Sequence, residues 1–317
     1  MNFLRPRGVI PGMKLPAVAL ALVATAASAH ADSKAWATAK TKLPGGLVAV
    51  FGINMGSIKS SELYKQMVPM LEAKAGKAKD NLDKIKTTCG IDLTGSIDSV
   101  VVGFGESTDK KDNSGVIIVA LKGTTQKDLE ACSQKVAKAE GKTLTITKDG
   151  AITKYSGMGD DDAYVRWFSK DTLAIGDSKD DVTKLTAGGI GKDVLATDAG
   201  KVNTNAAVWV AVNKTQDLDD LKGKMTGGFG TLDLKAGNLV VDAHIIMDSP
   251  KTAAEGVKQG TAQLDQIKKS GQIPKQFTPM LDSIKLSANG AELLAGATVA
   301  EKDLASLIQM AAAMAGH

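Results

Sequence analysis

Two cysteines are the residues of this 317-residue sequence whose type and placement most directly imply chemistry. Cys89 falls at the end of one helical pattern and Cys132 on the apolar face of a later one. In a chain that leaves the reducing cytosol, such a pair is expected to close a structural disulfide. A redox-active pair would place its thiols at Cys-x-x-Cys spacing to stabilise a thiolate, and these two sit in different helical segments. Closing a loop of that span would contribute about 4 kcal/mol in the chain-entropy account.

The other candidates for chemistry are weaker. Of three histidines, His244 sits in a strand pattern where alternation puts it on the face of Asp242, and His317 ends the chain. No Gly-x-Ser-x-Gly accompanies His244 to make a nucleophile elbow, so a solvated or sheet-edge histidine is expected. Asp160, Asp161 and Asp162 are the densest acidic cluster. Carboxylates so placed could serve a hydrolase or a cation, but the alternating ligands and distant Glu of a calcium loop are missing, and a solvated turn fits better. The acids of 109–115 are interrupted by Lys110 and Lys111. Gly188, Gly189 and Gly191 precede Lys192, but Asp193 stands where a phosphate loop needs Ser or Thr. Gly227, Gly228 and Gly230 lead into a strand pattern and not a helix start, so they form no pyrophosphate cradle. No catalytic, cofactor-binding or metal-ligating residue is assigned, and no cofactor is expected.

The first 31 residues have their own logic. Arg5, Arg7 and Lys14 precede an apolar run over 15–29, and Ala29, His30 and Ala31 close it with small side chains at the two positions a signal peptidase must accept. Cleavage between Ala31 and Asp32 is expected, with a second frame after Ala29. The run is about fifteen residues, short of the roughly 20 that span hydrocarbon. No later apolar run reaches that length, so no transmembrane segment is expected in the mature chain. Three of the 39 basic residues and none of the 35 acidic ones lie in this leader, so the apparent basicity is largely targeting sequence. The remainder is nearly neutral, with charges interspersed and aromatics at 4 %, which leaves nucleic-acid binding without its electrostatic and stacking terms.

The elements that must position these residues follow from periodicity. Strands are expected at 47–52, 99–105, 115–121, 143–147, 152–155, 164–168 and 171–175. Helices are expected from about residue 60, with Pro69 kinking or splitting the first, and over 125–139, where Thr125 precedes Asp128 by three residues. Ser178 with Asp181 should cap a short helix. After 188–191 the pattern restarts: a strand at 206–212, a short helix at 215–221, a hairpin of 228–234 with 238–247, a long helix opened by Ser249 and Pro250, then a hairpin across Asn289 and Gly290 and a last helix over 303–314. That last helix, which carries Met314, could rest on lipid, although its length and Ala content suit a core helix.

Both halves therefore read strand, helix, hairpin, helix, antiparallel strands, helix. The expected architecture is α+β: two related units, 32–195 and 196–317, each a mostly antiparallel sheet covered by helices on one face, behind a signal peptide at 1–31.

The run Thr88, Cys89, Gly90, Ile91, Asp92, then Ser96 to Val100, a hairpin, and Leu129 to Cys132 resembles exported bacterial proteins of unknown function with repeated α+β units. The resemblance covers about the first two-thirds of the mature chain and implies export and architecture only.

Long aliphatic strands without a converging catalytic set point to an exported, non-enzymatic binding or structural protein of the cell envelope, periplasmic or secreted. Its partner would be an apolar ligand or an envelope protein, with a hydrolase using clustered carboxylates as the alternative. Amino-terminal sequencing of exported material should begin at Asp32, or at His30 from the second frame; a start at Met1 would contradict the leader.

Overall fold

Packing in this computed structural model begins at the middle of the sheet, where strand β1 (Leu47–Asn54) lies antiparallel to β8 (Val208–Val212). Gly52 of β1 faces Trp209 of β8, and a Cβ at Gly52 would fall 2.0 Å from the indole. The missing side chain is what lets a fully buried Trp lie flat on the neighbouring strand. Trp209 in turn meets Trp36 edge to face, with ring centroids 4.8 Å apart. Asn54 fastens the end of β1 by donating from its side-chain amide to the carbonyls of Thr204 and Ala206, both at 2.8 Å.

The structure describes residues 32–306 except 75, 106–114, 158–161, 177, 187–188, 191–193, 219–220, 222, 271–277 and 305. In chain order the helices are α1 (Lys34–Lys42), α2 (Met55–Lys59), α3 (Glu62–Lys74), α4 (Lys77–Cys89), α5 (Leu93–Ser96), α6 (Gln126–Ala139), α7 (Lys179–Thr183), α8 (Val194–Ala199), α9 (Pro250–Lys269) and α10 (Thr278–Ser283). The remaining strands are β2 (Ile97–Gly105), β3 (Gly115–Leu121), β4 (Thr145–Asp149), β5 (Ile152–Ser156), β6 (Ala163–Ser169), β7 (Thr172–Gly176), β9 (Gln216–Leu218), β10 (Gly223–Lys235), β11 (Asn238–Met247), β12 (Lys285–Asn289) and β13 (Glu292–Ala300).

The fold is α+β with one large sheet in the order β12-β13-β11-β10-β8-β1-β2-β3-β7-β6-β5-β4, with β9 beside β10. Its pairings are antiparallel. The β1–β8 pair joins the two expected units, 32–195 and 196–317, edge to edge into this single sheet, and residues from Asp32 onward form one compact unit. Connectivity is alike on the two sides of that pair. β1 leads through helices to the β2–β3 hairpin, then α6, then strands that return to place β7 beside β3. β8 leads to the β10–β11 hairpin, then α9, then strands that return to place β13 beside β11.

Helices lie over both faces. On one, α1, α7 and α8 bury the main core, in which Trp36, Leu43, Val182 and Leu195 pack against Val50, Val101, Ile118 and Trp209. On the other, α4 and α6 cover one wing and α9 the opposite wing. Between them a row of paired residues, Ile117, Val102, Phe51, Val210, Gly230, Ala243 and Ala295, crosses the sheet. The wings differ in closeness. Ala253, Gly256 and Gly260 bring α9 tight onto the sheet, where a Cβ at Gly256 would meet Leu293 at 2.8 Å and one at Gly260 would meet Leu286 at 2.8 Å.

Several local expectations are met by side-chain geometry. Thr125 and Asp128 form a reciprocal capping box at α6, Ser178 and Asp181 another at α7, and Ser249 caps α9 with Pro250 in its first turn. The β10–β11 turn holds Ala236 and Gly237 at φ of 50° and 74°, as a two-residue hairpin requires. Pro69 lies inside α3, and the break before α4 comes instead at Gly76, whose φ of 46° favours glycine. The short helix expected at 215–221 is corrected: 216–218 form β9, held by its ladder to β10. His244 is not at a sheet edge, because β11 runs between β10 and β13. The expected leader, including Ala31, residues 307–314 of the expected last helix, and His317 lie outside the described residues.

Replacing Gly52 with Ala forces Trp209 off its packing on Trp36. Chemical denaturation should show a loss of about 1–3 kcal/mol, the range for overpacking a filled core. An unchanged midpoint would mean that the indole does not lie on β1 as described.

Candidate functional site

The site is built on the two helices that carry the cysteines. α4 ends at Cys89, and Gly90 terminates it in the left-handed conformation at φ 72° with its N–H donating to the Lys86 carbonyl. α6 starts at its capping box, where the bonds from Thr125 hold the Asp128 carboxyl below the usual carboxylate range. Cys89 and Cys132 lie at disulfide distance, their Cα atoms 5.4 Å apart, inside the roughly 4.4–6.8 Å a bridge can span. At the other end of the helix pair Lys84 donates to Glu140 at 2.5 Å, and Lys142 reaches the same carboxylate at 3.0 Å. These bonds hold Glu140 below its ordinary range. Cys89 beside Cys132 and Lys84 beside Glu140 make α4 and α6 antiparallel.

Under this pair the sheet face is apolar because β3, β6 and β7 alternate. Val119 and Leu121 point to the helices while Ile118 and Ala120 point to the main core, and Leu173 pairs with Val119 on one side and Trp167 on the other. The helices do not close down on that face. A cavity of about 530 Å³ remains, floored by Val119, Leu121, Val165 and Leu173, roofed by Leu129, Cys132 and Val136 of α6, and flanked by Leu82 and Ile85 of α4. This volume lies within the ~300–1,000 Å³ of small-molecule sites, and its lining has the apolar character those sites share. The contrast with α9 is one of side-chain size: Leu and Val on α6 stand off the sheet where Ala and Gly on α9 let the backbone approach.

Polar groups on the wall are few. Tyr155 and Trp167 are neighbours in it. Burial pushes the Tyr155 hydroxyl pKa up, the charge of Glu130 pushes it further, and the neighbouring Trp167 N–H pulls it back. That indole N–H is close to the hydroxyl yet makes no well-formed hydrogen bond, and it is buried without a partner among the described residues. Ser133 and Thr94 line the cavity elsewhere. At the open side Leu82 and Ile175 are 40 % and 41 % exposed, so an apolar mouth faces solvent.

The remaining candidates from the sequence are not brought to this site. His244 stacks on Phe229 at 4.5 Å on the opposite sheet face, with Nδ1 3.1 Å from Glu292 and Nε2 3.4 Å from Asp242. Its side-chain hydrogen-bond partners among the described residues are these two carboxylates. Asp162 pairs with Lys154 at 2.6 Å, while Asp160 and Asp161 lie outside the described residues. Among the described residues no group of three His, Cys, Asp or Glu is placed to hold a metal ion. Gly227, Gly228 and Gly230 sit inside β10, where a Cβ would strike a neighbouring carbonyl at 2.7–2.9 Å, so they serve close strand packing. Among the described residues no helix is long and apolar enough to cross a membrane. The residues that sequence reasoning missed are the cavity walls, whose signal was alternation in β3 and β7 read together with the bulky apolar face of α6.

No protein-family model matches the sequence, and no curated protein matches it. Among solved structures, crystal form III of TP0453 is similar over 89 % of this chain and 99 % of that one, at 11 % identity and a TM-score of 0.46. Crystal form I of TP0453 is similar over 88 % and 97 %, at 12 % identity and a TM-score of 0.44. The likeness is too distant to carry an argument.

Removing the bridge by Cys132→Ser should lower stability by about 4 kcal/mol, the loop-closure value for this sequence span. Because both halves share one sheet, denaturant unfolding followed by Trp fluorescence should shift as a whole. No shift, or two free thiols in native protein, would contradict the bridge.

Proposed function

We propose that this chain is an exported, non-enzymatic binding protein that takes an apolar ligand between α4, α6 and the sheet. The observation that carries the reading is the cavity of about 530 Å³ with its nearly continuous aliphatic and aromatic wall. Apolar surface left open to water is unfavourable by about 25 cal/mol per Å², so a bound apolar molecule would recover free energy the fold leaves unrealised. The bridge and the Lys84–Glu140 pair support the same reading, since they hold the roof in place without filling the space beneath it.

Export through a leader ending at Ala31 accords with an expected site of action in the periplasm or outside the cell, where a disulfide persists. The like connectivity on the two sides of β1–β8 supports descent of both halves from one repeated unit. In that account the second half kept a helix packed tightly on the sheet, and the first acquired bulkier helix residues and a bridge that hold a cavity open.

A neutral fluorescent probe such as N-phenyl-1-naphthylamine should bind saturably at one site per chain. Val119→Trp, which fills the floor, should weaken it at least tenfold; Ser133→Phe fills the cavity from the helix side and should act alike if the first variant folds poorly. Circular dichroism should verify that each variant is folded. Undiminished binding in both folded variants would place the probe elsewhere and overturn the reading.

A further inference from the structure

The apolar cavity does not end at α4. Leu82, Leu93 and Thr94 line both it and a second cleft, of about 520 Å³, between α3, α4 and α5. The two chambers differ in kind. The second is lined by Lys59, Lys79, Lys86, Asp83 and Asp92 as well as Tyr64. Lys79 pairs with Asp83 at 2.5 Å, and Lys86 stands 3.9 Å from Asp92, so these charges offset one another. Lys59 differs from them. Its Nζ donates to the carbonyls of Gly95 at 2.8 Å and Ile97 at 2.9 Å, which are neutral, and the third ammonium hydrogen has no acceptor among the described residues.

We infer that the two chambers together bind a single-chain anionic amphiphile, a long-chain carboxylate or phosphate monoester, with its headgroup at Lys59 and its chain under α4 and α6. The inference rests on the apolar-ligand reading and adds the ligand's charge and orientation. An anion completes the coordination of a half-buried cation, and a charge-assisted bond to it is about twice as strong as a neutral one. Burial pushes the Lys59 pKa down, Asp92 and Asp98 pull it up and Lys122 pushes it down; a bound anion would pull it up further. The opposite orientation is disfavoured, because no cationic side chain lines the apolar cavity among the described residues.

Competition against the neutral probe tests this with dodecanoate, 1-dodecanol, dodecyl phosphate and inorganic phosphate on the mature chain. Dodecanoate and dodecyl phosphate should bind at least tenfold more tightly than the alcohol. Lys59→Gln should abolish that preference while leaving alcohol affinity within twofold, and Lys59→Arg should keep it. The alcohol arm separates a lost headgroup contact from a lost carbonyl brace, which would weaken all the ligands together. Equal affinity for acid and alcohol, or a preference that survives Lys59→Gln, would overturn the headgroup assignment while leaving the cavity reading intact. Inorganic phosphate competing as well as dodecyl phosphate would overturn the amphiphile. Failure of the acid and the alcohol alike to bind would overturn both readings. If Lys59→Gln does not fold, the wild-type preference and its retention in Lys59→Arg decide.

Discussion

The contact of Trp209 with Gly52 is the constraint from which the rest of the molecule follows. It places a large indole flat across the β1–β8 pair, where any side chain at position 52 would collide with it. Trp36 braces the indole from α1, and the main core of Val50, Val101, Ile118 and Leu195 closes around the two rings. Burying two such aromatics supplies a large share of the apolar burial on that face. With the centre fixed, the sheet extends outward on either side by hairpins and returning strands, and the opposite face is left for the wing helices.

What happens on that second face is decided by side-chain size. α9 carries Ala253, Gly256 and Gly260 toward the sheet and lies close, its glycines against Leu293 and Leu286. α6 carries Leu129, Cys132 and Val136, and α4 adds Leu82 and Ile85, so this wing stands off and encloses a space. Helices free to settle would close a void of that kind, because a gap forfeits dispersion contacts on one side. The cysteine bridge and the Lys84–Glu140 pair hold the two helices to each other, so the roof moves as a unit.

Much of the local structure was legible in the sequence, because its causes are local. Thr125 with Asp128, Ser178 with Asp181 and Ser249 with Pro250 announce helix starts by capping chemistry, and alternation shows the hairpins. The cysteine pairing could be read from compartment and from position on two helices. The β1–β8 pairing was not legible, since it joins strands some 160 residues apart by roughly the loop-closure and packing terms that no local window contains. The helices α1, α2, α5, α8 and α10 were also missed, being short stretches held by tertiary contacts. The cavity was legible only in part: periodicity tells which face of α6 is buried, but its distance from the sheet depends on residues brought together from α4, α6, β3, β6 and β7. Lys59 gave no signal of its own, because its partners are backbone carbonyls.

The most direct test of the central claim is methyl NMR of the mature chain with its Val and Leu methyls labelled, recorded as a neutral apolar probe is added. The account predicts that the methyls of Val119, Leu121, Leu129, Val136, Val165 and Leu173 shift together and saturably, while those of Leu293 and Leu286 beneath α9 stay in place. Shifts confined to Val102 and Val210 on the row between the wings, or no saturable shift beneath α6, would contradict it.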